Sequence, residues 1–104
     1  MTEELFDQVK AHREHLRWNL LAALEAAGHI GASESLLLTV VAPVATSVTA
    51  MEIKHELYYL QDRGLVKVDR NQPCWHATIT ADGADVAQYT VDCPPGIARP
   101  QKYW

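Results

Sequence analysis

Apolar residues open the chain at helical spacing. Leu5, Val9, His12, Leu16, Leu20, Leu24 and Ala27 recur three or four positions apart, which is one stripe of an α-helix. The pattern predicts a helix over 3–27. Thr2 is its candidate N-cap, Glu3 and Glu4 suit its positive end, and Gly28 is its C′ stop. A stripe of that length exceeds the needs of a small core, so residues 3–15 are expected to project and meet a partner. The segment 29–33 reads as a turn. Ser33 or Ser35 then caps a second helix to about Pro43 or Val44. Its apolar residues Leu36, Leu37, Val40, Val41 and Val44 are either well buried or form an apolar patch.

The sharpest local signal follows. Thr49 and Glu52 have the spacing of a capping box, and Val48 and Ile53 that of a hydrophobic staple. They predict a third helix starting at Ala50, with Ile53, Leu57 and Leu60 as its buried stripe. Arg63-Gly64-Leu65 ends it with a positive charge, a C′ glycine and an apolar anchor. Residues 66–70 alternate like a strand, 71–73 turn, and 75–80 alternate again with Trp75, Ala77 and Ile79 on one face. Thr80 caps a short last helix to about Tyr89. The remainder, 91–104, contains three prolines and shows no periodicity. It is expected to be a tail on its own or a neighbouring subunit, with disorder as the alternative.

The order is helix, helix, tight turn, helix, two-stranded hairpin, helix. The segments LYYLQDRGLVKVDR and WHATITADGADVA resemble the "LxxLxxxGLV … LTxxGxxVA" signature of MarR-, ArsR- and PadR-like domains. Leu57, Leu60, Gly64, Leu65, Val66, Ile79, Thr80, Gly83, Val86 and Ala87 carry the match. Over nearly its whole length the chain also resembles a small group of winged-helix proteins encoded in Mu-like prophages. That likeness rests on LRWNLLAAL (16–24), Ser35-Leu36-Leu37 and PGIARP (95–100). It implies an α+β, mostly helical fold: a winged helix-turn-helix with a long N-terminal helix, a three-helix core, a two-stranded wing and a short C-terminal helix. The domain spans 1–90, and 91–104 is the tail.

The acidic, amphipathic N-terminus, unlike a secretory signal, gives the cytoplasm as the expected location. The long first helix and the tail lead us to expect a homodimer. The resemblance implies a protein that binds double-stranded DNA, as a transcriptional regulator or a DNA-packaging accessory. Charge tempers that expectation. The 104-residue chain carries a net charge of −4, whereas a DNA binder needs cations to replace phosphate counterions. From Thr46 to His76, Lys54, Arg63, Lys67 and Arg70 are balanced by Glu52, Glu56, Asp62 and Asp69. The third helix presents Met51, His55, Tyr58 and Asp62 outward, flanked by Lys54 and Tyr59. It offers no Arg for guanine and no Asn or Gln for adenine before Gln61. Glu52 stands where a phosphate would want the helix N-terminus. The expected DNA contacts are Thr46, Ser47, Thr49, Lys54, His55, Lys67, Arg70 and Asn71. The competing reading is an adaptor for a phage or host protein, using Met51, Tyr58, Tyr59, Tyr103 and Trp104, types favoured in interface cores.

Catalytic readings find no support. The five histidines are scattered, and no Gly-rich phosphate loop or nucleophile elbow is present. His12 and His15 share a helical face but lack a third ligand. Cys74 lies one residue from His76, without the further ligands zinc requires. Cys74 and Cys93 read as free thiols. No cofactor, metal or membrane span is expected.

Overall fold

The computed structural model describes residues 2–45 and 47–102, with side chains described from Gln8 onward. Thr46, Tyr103 and Trp104, expected above as DNA or partner contacts, lie outside the described residues.

The elements run α1 (Thr2–Ala27), a 3-10 turn (Gly28–Ile30), β1 (Ala32–Ser33), α2 (Glu34–Val41), α3 (Ala50–Asp62), β2 (Val66–Asp69), β3 (His76–Ile79) and α4 (Ala81–Ala87). The fold is α+β and mostly helical. Its antiparallel sheet has the order β1-β3-β2. Two expectations change here. The 29–33 turn contains a strand: Ala32 pairs with Ala77 and Ser33 with His76, so the hairpin becomes a three-stranded sheet. A two-residue strand is too short to show an alternating pattern. In addition, α2 ends at Val41 rather than near Val44, and α4 ends at Ala87.

Local chemistry explains the boundaries. The hydroxyls of Ser33, Thr49 and Thr80 each accept the backbone N–H three residues on, from Leu36, Glu52 and Gly83, at 3.2, 3.2 and 3.1 Å. Each such cap contributes about 1 kcal/mol. At α3 only this half of the capping box forms, because the Glu52 carboxylate faces His12 at 3.3 Å. The end of α3 is a full Schellman motif. The Leu65 N–H reaches the Leu60 carbonyl at 3.0 Å and the Gly64 N–H reaches Gln61 at 2.9 Å, with Gly64 at φ +76°.

The core is one cluster. Leu16, Leu20, Leu21 and Leu24 of α1 pack with Leu37 and Val41 of α2, with Ile53, Leu57 and Leu60 of α3, and with Val66, Ala77 and Val86. Nothing before Leu16 is buried among the side chains described, although His12 and Glu14 touch the body. The tail lies against its own subunit. Ile97 is buried, and the Ala98 N–H donates to the Glu14 carbonyl at 3.1 Å. Arg99 donates to the carbonyls of Val86 and Val91 at 3.0 and 2.8 Å. The Tyr89 hydroxyl donates to Pro100 at 2.7 Å. Among the described residues no helix is long and apolar enough to cross a membrane.

Candidate nucleic-acid interface

Helix α3 has two flanks of opposite character. The buried flank meets α1 and the tail. There Glu56 is only 3% exposed, and its carboxylate accepts from Arg17 Nε at 2.7 Å. Arg17 Nη1 donates to the Gly96 carbonyl at 2.9 Å, and its guanidinium lies 3.6 Å from the centroid of the Tyr59 ring. Arg63 covers the same ring at 4.8 Å, and the Tyr59 hydroxyl donates to Pro95 at 3.4 Å. One guanidinium thus neutralises a buried carboxylate, holds a tail carbonyl and stacks on an aromatic face. Such multiple engagement suits a planar, weakly hydrated cation. Tyr59, expected as a partner contact, is drawn into this internal seam.

The open flank meets the β2–β3 hairpin. Lys54 Nζ lies 5.6 Å from the Trp75 ring centroid, and Arg70 lies 5.7 Å from both the Trp75 and Tyr58 rings. Lys54 also pairs with Glu34 Oε1 at 3.4 Å. Arg70 forms no ion pair among the described residues, so its charge is held in place by aromatic faces and remains available. Glu34 is the second buried acid, 5% exposed. It clasps the tip end of the hairpin, just before β3 begins: the Trp75 N–H donates to its carboxylate and its own N–H donates to the Trp75 carbonyl, both at 2.8 Å. Neither buried acid was expected. Glu56 stands three residues after Ile53 and four before Leu60, on the buried stripe itself, and that position was the available signal.

The remaining expected residues sort as follows. Met51 and Tyr58 are 73% and 54% exposed on the outer face of α3. His55 is exposed beside them, with Nδ1 3.3 Å from Glu56. Thr49 caps the same helix, and exposed Ser47 precedes it in the left-handed region at φ +67°. Lys67 lies on the outward face of β2, opposite Thr78, and is not brought to the aromatic group. Asn71 sits at the hairpin tip, where its N–H donates to the Asp69 carboxylate at 3.0 Å.

This placement alters the charge argument. Glu56 does not belong to the surface balance, since it is buried against a cation from α1. The Glu52 carboxylate is directed at His12, across an open cleft of about 410 Å³ between α1 and α3. Lys54 is offset by Glu34, which lay outside the counted segment. Among the described residues, the counted cations without an ion pair are Arg70 and Lys67 on the hairpin and Arg63, which covers Tyr59.

The two thiols differ in environment. Exposed Cys74 lies 3.1 Å from the Ser35 hydroxyl, and that hydrogen bond, aided by the Ser35 backbone, lowers its pKa from the ordinary thiol value. Burial raises that of Cys93, against the smaller opposing effect of Arg99. Among the described residues no group of three or more His, Cys, Asp or Glu side chains is placed to hold a metal ion. Comparison with protein-family models, with curated proteins and with solved structures finds no match to this chain.

Proposed function

We propose that the chain is a winged helix-turn-helix protein that binds double-stranded DNA as a homodimer, with α3 as its recognition helix and the β2–β3 hairpin as its wing. One observation carries this reading: Arg70, which forms no ion pair among the described residues, sits on Tyr58 and Trp75 in the angle between α3 and the hairpin. A cation supported there is positioned for a phosphate while α3 lies in the major groove. Lys67 and Asn71 add backbone contacts along the hairpin. So small a set of cations predicts a modest salt dependence. By its likeness to prophage-encoded proteins, the chain acts in transcriptional control or beside the DNA-packaging machinery, in the cytoplasm.

The test is a fluorescence titration of the full chain against a random duplex at low salt. Binding is expected in the non-specific range of about 10⁻⁴ to 10⁻⁶ M, and nothing tighter than about 100 μM overturns the reading. Light scattering checks the dimer, and a monomer at high concentration removes it.

A second reading is favoured by the outer face of α2. Leu36 and Val40, with Val44 beyond the helix end, stand 52%, 50% and 69% exposed at four-residue spacing. A row of that kind is what a protein-binding adaptor presents. The adaptor reading requires association that survives Arg70→Ala and is lost on Leu36→Ser with Val40→Ser.

A further inference from the structure

We propose that α3 reads DNA through the C5-methyl groups of pyrimidines in the major groove, with Met51 and Tyr58 as the residues that sense them. This inference rests on the DNA-binding reading above and adds what is recognised.

The outward stripe of α3 runs Met51, His55, Tyr58, Asp62, in steps of four, three and four residues. The side chains that normally read a base through paired hydrogen bonds are Arg, Lys, Asn and Gln. On this helix each candidate is engaged elsewhere. Lys54 is held by Glu34 and lies near the Trp75 ring. The Gln61 side-chain oxygen accepts the Val68 N–H at 2.9 Å, which ties it to the hairpin. Glu52, which could accept from cytosine, faces His12. The exposed groups left on the outward face are the Ala50 methyl, the Met51 thioether and the His55 imidazole beside Glu56 on the leading half, and the Tyr58 ring one turn further on.

The major-groove edges of the bases present donors and acceptors and a single apolar feature, the 5-methyl group of thymine. The Met51 thioether and the Tyr58 ring gain contact energy from that feature, while the Tyr58 hydroxyl and the His55 imidazole remain able to hydrogen-bond neighbouring base edges. Methionine suits the task, because an unbranched, polarisable chain adapts to methyl groups at different steps. Charge complementarity favours DNA over a wholly apolar occupant: Arg70 borders Tyr58 at 5.7 Å, a cation beside the apolar face. The same methyl is carried by 5-methylcytosine, so the chemistry recognised is the 5-methylpyrimidine edge.

The experiment measures binding of the full chain, at fixed low salt, to four duplexes. These are an A·T-rich duplex, the same duplex with deoxyuridine for thymidine, and a G·C-rich duplex with and without 5-methylcytosine. Removing the thymine methyls is expected to weaken binding about fourfold for each methyl in contact. In Met51→Ser, an exposed position that leaves the Tyr58 support of Arg70 in place, the difference between the thymine and uracil duplexes shrinks while salt-dependent binding persists. A gain from 5-methylcytosine as well shows that the methyl is read wherever it stands. A gain from thymine alone assigns the contact to A·T pairs. Equal binding of the thymine and uracil duplexes overturns the inference and leaves DNA binding intact. No binding to any duplex overturns the DNA reading itself.

Discussion

The two flanks of α3 use similar residues to opposite ends. On the α1 side, Arg17, Glu56 and Tyr59 form a closed seam, with Arg17 and Glu56 side chains 12% and 4% exposed. On the hairpin side, Arg70, Tyr58 and Trp75 form an open seam whose guanidinium forms no ion pair among the described residues. An arginine beside a tyrosine is therefore no signature of a binding site. What separates the two is whether a buried acid and a carbonyl already satisfy the guanidinium. The closed seam fixes α3, and the open seam is left for a ligand.

That contrast breaks most readily at Arg17. Arg17→Met strands the buried Glu56 charge and is expected to cost about 3–5 kcal/mol in urea unfolding. Adding Glu56→Leu should recover most of the loss, because the pair then becomes apolar. A loss below about 1 kcal/mol for the single variant means that the seam does not hold the fold. Gly96 is the next test. It lies at φ +96°, and a Cβ there meets the Tyr59 hydroxyl. Gly96→Ala is therefore expected to cost about 1–3 kcal/mol by the same measurement. An unchanged midpoint shows that the tail can leave α1 freely.

Arg70→Ala should change stability by no more than about 0.5 kcal/mol. Its effect is expected in DNA titrations, where the salt slope falls by about one. A large stability loss with an unchanged slope would make the open seam structural after all. The smallest effect concerns the thiols. Cys74, with its pKa lowered by Ser35, holds more thiolate at pH 8 than Cys93, whose pKa is raised by burial. Alkylation is expected at Cys74 first, and Ser35→Ala should slow it. Equal rates at both thiols would dissociate the hydroxyl contact from reactivity.

Much of α3 was legible in sequence because its signals are local. Thr49 and Gly64 act through bonds to residues a few positions away, as Thr80 does in capping α4, and Ile53, Leu57 and Leu60 repeat with the helix. The partners of the site were not legible. Arg17 reaches Glu56 across 39 positions and the Gly96 carbonyl across 79, and no periodicity links them. That the tail docks was one of the alternatives open in the sequence, but where it docks was hidden for the same reason, since it uses backbone carbonyls that any residue supplies. Strand β1 escaped because two residues make no pattern. Charge counting failed at Glu56, where an acid on a buried stripe was weighed as though it faced water.

The clasp between Glu34 and Trp75 has a mechanical consequence. Two opposed hydrogen bonds of 2.8 Å weld the first turn of α2 to the start of β3. The hairpin is anchored at the tip end of β3, and the exposed residues 70–74 form the loop just before that anchor. A load carried along β3 passes through the backbone at Trp75 into α2. The amide proton of Trp75, held by a buried carboxylate, should consequently exchange with solvent far more slowly than those of its neighbours at the tip.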